Sequence, residues 1–191
     1  MGARAEGVGW EFVPGTLARW DLGGGALARG NPRIVLGLGS TVGPVGRDAR
    51  RKGADIAGQA SGGLVAASGS GPHDMAPVGV TIADHIGSQN LANGVLAALY
   101  ARERTGRGQK VEVSLLGGQI FAQASEYSFS FLTGRDPGHG AGGHTLIPMI
   151  HGSLPTQEGH LVIVGVAVPE RPGFGRAGCR AGRQEGPQVG R

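Results

Sequence analysis

One continuous stretch, residues 78 to 116, constrains the fold more than any other part of the chain. Val78-Gly79-Val80-Thr81-Ile82-Ala83 reads as extended and apolar. Asp84 then opens a run of small residues to Arg102, with Ile86, Asn90, Leu91, Val95, Ala98 and Leu99 near helical spacing. After Thr105-Gly106-Arg107-Gly108-Gln109, the segment Lys110 to Leu116 alternates, with Val111, Val113 and Leu115 on one side, as a strand does. An extended segment, a helix and a strand in succession predict helices layered on a sheet, an α/β architecture.

The flanking sequence extends that plan. Residues 1–9 have no apolar period and read as unstructured. Phe12-Val13-Pro14-Gly15-Thr16-Leu17 leads into a short helix, Leu17 to Leu22, stopped by Gly23-Gly24-Gly25. Arg33-Ile34-Val35-Leu36 reads as a short buried strand, Gly37 to Gly53 as a loop rich in glycine and arginine, and Ile56 to Ala66 as a short helix. Gly117 to Leu132 reads as another helix, stopped by Thr133-Gly134, and residues 134–144 as a Gly- and His-rich loop. Gln157-Glu158-Gly159 turns into a strand, His160 to Val164. From Pro172 onward apolar residues nearly vanish, and a disordered basic tail is expected.

Composition narrows the function classes. With 39% hydrophobic and only 5% aromatic residues, the core must be built from Ala, Val, Leu and Ile. The 39 glycines show no period, so collagen is excluded. Apolar runs are too short for a membrane span of ~20 residues, and the start lacks a signal-peptide pattern. A single cysteine, Cys179, permits no internal disulfide, and a reducing cytoplasm is the expected compartment. The charge of +4 gathers at Arg47, Arg50, Arg51 and Lys52 and in the tail, with no interleaved aromatics. That favours a solvated surface over a nucleic-acid interface. Gly37-Leu38-Gly39-Ser40-Thr41-Val42-Gly43 misses the dinucleotide spacing by one residue, and the histidines lack helical metal spacing. No metal is expected. Gly69-Ser70-Gly71 is not a nucleophile elbow.

Asp84 remains. A carboxylate where a helix begins can cap that helix or attack a substrate. The surrounding motifs are Asp55-Ile56-Ala57-Gly58-Gln59-Ala60-Ser61-Gly62-Gly63-Leu64, Ile82-Ala83-Asp84, Ala97-Ala98-Leu99-Tyr100-Ala101-Arg102 and Thr105-Gly106-Arg107-Gly108-Gln109 running into Lys110 to Leu116. Together with Phe12-Val13-Pro14-Gly15-Thr16-Leu17 and Asn31-Pro32-Arg33-Ile34-Val35, they resemble the family III CoA-transferases, relatives of formyl-CoA and carnitine-CoA transferases, across roughly residues 11–170.

The resemblance implies that Asp84 is the nucleophile, attacking an acyl-CoA thioester to give an aspartyl anhydride and then an aspartyl-CoA thioester. It implies that Phe12 and Arg19 lie near the nucleotide of CoA, and that Lys52 and Asp55 line the CoA channel. Gly140, Gly142 and Gly143 would belong to a glycine-rich flap over the intermediate. CoA is then substrate and product rather than a held cofactor. The partners are acyl-CoA and a carboxylic acid, with no nucleic acid or membrane, and the assembly of intact relatives is an interlocked homodimer.

Departures from the family qualify the expectation. The related α-methylacyl-CoA racemases carry a histidine where this chain has Ala54, so transfer is favoured over racemisation. Glu11 stands where relatives have Asn, and it would repel CoA phosphates. The expected fold is a partial Rossmann-like large domain, residues 11–133, followed by a glycine loop and the start of a small domain, residues 134–171. Residues 1–10 read as a divergent N-terminus and 172–191 as the tail. Those ends point to a truncated or frame-shifted member, and an inactive fragment is the alternative to a working transferase.

Overall fold

The computed structural model describes residues 5–69, 73–139, 144, 146–147, 150–156 and 158–166. Three parallel strands form the central sheet in the order β1-β2-β3: β1 (Gly7–Glu11), β2 (Val35–Ser40) and β3 (Lys110–Ser114). Helices α1 (Thr16–Arg19) and α2 (Gly24–Gly30) join β1 to β2. Helices α3 (Asp55–Ser61), α4 (Leu64–Ser68) and α5 (Ile82–Thr105) join β2 to β3. After β3 come α6 (Leu115–Ala122) and α7 (Ala124–Thr133), then an antiparallel hairpin of β4 (Ile150–Thr156) and β5 (Gly159–Val166). The α/β expectation holds: helices pack against a parallel sheet.

Strands reach further than the sequence pattern predicts. The stretch read as an unstructured start supplies β1, although Gly7-Val8-Gly9-Trp10-Glu11 has little β-branched character. Pairing decides it: Gly9 lies opposite Gly37, and Glu11 opposite Gly39. Likewise β2 runs on through Gly37-Leu38-Gly39-Ser40, where a loop is expected. The glycines there serve packing. A methyl group added at Gly37 would meet Leu91 Cδ1 and Val95 Cγ2 at 3.3 Å, so α5 rests directly on the strand. On the opposite face, α2 approaches through Gly24, 3.2 Å from Leu36 Cδ1 by the same measure. Val35 and Leu36 between these layers are buried, as the apolar run predicts.

Two helices are broken where one is expected. Gly63, at φ +76°, separates α3 from α4. Gln123, at φ −110° and ψ 30°, separates α6 from α7. The predicted stop at Thr133-Gly134 is present, with Gly134 left-handed at φ +67° and its N–H on the Ser130 carbonyl. The second strand of the hairpin is expected at 160–164, whereas its partner β4 has no signal in the sequence. Among the described residues no helix is long and apolar enough to cross a membrane. Cys179 and the expected disordered tail lie outside the described residues.

Candidate active site

All three parallel strands point their C-terminal ends at one edge of the sheet, the usual place for a ligand crevice in open α/β folds. At that edge, Trp10, Glu11, Gly39, Ser40 and Val113 meet Asp84, Gly87, Ser88 and Leu91 of α5 around a cavity of about 80 Å³. Asp84 is half-buried there. Its carboxylate makes no hydrogen bond or ion pair with the described residues, so its oxygens are available to a substrate.

The local structure differs from the expected strand-to-helix junction. Val78 to Thr81 joins no sheet, and α5 begins at Ile82 with Asp84 as its third residue rather than its cap. Thr81, at φ −77° and ψ 60°, forms an inverse γ-turn in which the Ile82 N–H donates to the Val80 carbonyl at 2.8 Å. Asp55, at the start of α3, takes the next two donors. Its Oδ1 accepts from the Ala83 N–H at 2.7 Å and the Asp84 N–H at 3.1 Å. The first three amides of α5 are thereby satisfied, two of them by a side chain from 28 and 29 residues away.

Gln59, one turn along α3 and 1% exposed, completes the arrangement. Its Nε2 donates to Asp55 Oδ2 at 2.6 Å and to the Val80 carbonyl at 3.2 Å, while its Oε1 accepts from the Val78 N–H at 3.0 Å. Close helix contact makes this reach feasible. A methyl group at Gly58 would stand 2.9 Å from Ala83 Cβ and 2.8 Å from Leu115 Cβ. Only glycine lets α3, α5 and α6 approach so nearly.

The other predicted residues divide. Phe12 and Lys52 face one cavity of about 280 Å³, together with Glu11, Ser40, Thr41 and Arg51. Glu11 and Ser40 line both this cavity and the one holding Asp84, so the two adjoin. Phe12 also packs edge-on against Trp20, with ring centroids 5.4 Å apart. Arg19 is exposed on α1 and donates to Thr16 Oγ1 at 3.0 Å. Asp55 reaches the Asp84 backbone. Gly140, Gly142 and Gly143 lie outside the described residues. Gln59 carries no role in the sequence reading; its signal was the i, i+4 spacing from Asp55 on a helix. Ala54 immediately precedes α3.

Comparison with known proteins places the chain in a family. The profile of CoA-transferase family III matches residues 5–185. Succinyl-CoA–D-citramalate CoA-transferase of Chloroflexus aurantiacus is 32% identical over 123 residues, which are 64% of this chain and 31% of that protein. Acetyl-CoA:oxalate CoA-transferase of Acetobacter aceti is 33% identical over 140 residues, 72% of this chain and 36% of that one. Succinyl-CoA:mesaconate CoA-transferase of Haloarcula hispanica is 30% identical over 173 residues, 86% and 42% respectively. The chain thus spans less than half the length of these curated relatives. The crystal structure of a CAIB/BAIF family protein from Brucella suis superposes with a TM-score of 0.81 over 92% of this chain and 46% of that one; at 23% identity it speaks to the fold alone. With nearly the whole chain matched by one profile, this protein belongs to CoA-transferase family III.

Proposed function

We propose that this chain carries the nucleophile-bearing portion of a CoA-transferase, with Asp84 as the attacking carboxylate. The observation that carries the reading is the half-buried Asp84 carboxylate, without a partner among the described residues, in a cavity at the C-terminal edge of the sheet. In the proposed reaction an Asp84 oxygen adds to the thioester carbonyl carbon, the C–S bond breaks, and CoA leaves as thiolate. The thiolate then attacks the aspartyl carbonyl of the resulting anhydride, releasing the donor acid and leaving aspartyl-CoA. An acceptor carboxylate repeats the sequence in reverse, regenerating Asp84.

A carboxylate is a weak nucleophile, so placement and shielding from water must supply the acceleration. Trp10, Leu91, Val113 and Leu115 provide apolar wall on the cavity, and α5 directs its N-terminal dipole toward the reacting carboxylate. Arg51 and Lys52 on the adjoining cavity suit the phosphates of CoA, as charge-assisted donors. CoA is in this reading substrate and product. The relatives' names give succinyl-CoA or acetyl-CoA as donor and small carboxylic acids as acceptors, so the proposed substrates are an acyl-CoA and a small acid. A homodimer is the proposed assembly of the intact protein.

The test is covalent trapping. Incubation with an acyl-CoA should yield a mass adduct on the peptide containing Asp84, and Asp84→Ala should abolish it. An unmodified wild-type chain would overturn the reading of Asp84 as the nucleophile of this chain and favour the inactive alternative.

A further inference from the structure

We infer that Asp55 is a positioning residue for the proposed nucleophile. It fixes the first turn of α5, and hence the Asp84 carboxylate, through its hydrogen bonds to the Ala83 and Asp84 amides. This rests on the reading of Asp84 as nucleophile and adds to it the device that aims it.

The geometry leaves Asp55 little other employment. One oxygen is taken by two backbone amides and the other by Gln59. No side chain of α5 itself caps the helix: Thr81 makes no capping bond, and its Oγ1 instead approaches His85 Nε2 at 3.4 Å. The cap is therefore supplied from α3. A local cap would let the first turn move as a unit, whereas one held by a second helix ties that turn to the body of the protein. Gln59 reinforces the tie from the other side by holding Val78 and Val80, so the chain is gripped both before and at the start of α5. Attack on a thioester demands a narrow approach, and a carboxylate displaced by about 1 Å can lose about a hundredfold in rate.

The variants separate aim from binding and from folding. In Asp55→Asn the amide oxygen still accepts from Ala83 and Asp84, but its –NH2 faces the –NH2 of Gln59, so one of the three bonds is lost. Asp55→Ala loses all three. The rate of Asp84 adduct formation from acetyl-CoA is measured as a function of concentration. We expect Asp55→Ala to lower the saturating rate at least about tenfold, with the half-saturating concentration changed less than about twofold. Asp55→Asn should recover most of that rate.

Amide hydrogen exchange supplies a readout independent of chemistry. Ala83 and Asp84 should lose protection in Asp55→Ala and keep most of it in Asp55→Asn, while amides in the middle of α5 are unchanged. A wild-type adduct with an equal rate in Asp55→Ala would overturn the positioning role and leave Asp84 standing. Unchanged protection at Ala83 and Asp84 would also overturn it. Absence of any wild-type adduct would instead sink the nucleophile reading, and the positioning role with it.

Discussion

Two acidic side chains, Asp84 and Glu11, line the small cavity, and among the described residues no lysine or arginine lines it. Glu11 also borders the cavity that holds Arg51 and Lys52. An anionic ligand passing from one to the other must pass this carboxylate. Like-charge repulsion across a partly solvated gap of a few ångströms is worth about 1 kcal/mol, or a factor of roughly five in affinity. We therefore expect Glu11→Gln to tighten CoA binding about threefold to tenfold in titration calorimetry, with the gain shrinking as salt is added. At this scale the sequence singled out Asp84, Asp55 and Phe12 through the linear motifs they stand in, and the structure sets Asp84 and Phe12 on adjoining cavities. The sequence could not reveal what Asp55 does. That role consists of hydrogen bonds crossing 28 and 29 positions of chain, and only the packing of α3 against α5 creates them.

Among the elements, α5 organises the rest, and both of its ends are fixed by residues far away in sequence. Its C-terminus closes on left-handed Gly106, whose N–H meets the Arg102 carbonyl at 2.8 Å. Two residues later Gly108 presses against the backbone before β2: an added methyl would fall 1.8 Å from the Ile34 carbonyl oxygen. Gly108→Ala should therefore destabilise the chain by about 3 kcal/mol in urea unfolding, whereas an ordinary loop glycine would tolerate it. Arg102 is the second fastening. It is 8% exposed, and its guanidinium donates to the carbonyls of Glu6 and Arg33 and to the Glu6 carboxylate. Arg102→Ala should cost about 2–4 kcal/mol, because two carbonyls lose a charged donor. The sequence showed α5 and β3, through several apolar residues near helical spacing followed by alternation. It concealed β1 and the end of β2, whose glycine-rich residues acquire strand conformation only through their parallel neighbours.

For the molecule as a whole, the balance of buried and exposed apolar surface is unusual. The buried apolar core among the described residues is confined to Ile34, Val35, Leu36, Ala83, Ala98, Leu115 and Ile163. Outside it, Phe121, Phe131 and Leu132 on α6 and α7 are 70%, 81% and 86% exposed, and Leu96 and Tyr100 on α5 are also open. Exposed large apolar side chains in this number favour association. Sedimentation velocity should show species larger than a monomer whose proportion rises with concentration, and Phe131→Ser with Leu132→Ser should reduce it. A monomer at all concentrations would show that these side chains need no cover.

The parallel course of the three strands has an experimental consequence. Asp84 sits near one rim of the sheet and Arg102 near the other, about 27 Å apart along a single helix. Damage near Arg102 should lower the melting temperature while sparing turnover in the molecules that remain folded. Damage near Asp84 should do the reverse, so one rod of protein offers independent handles on endurance and reactivity.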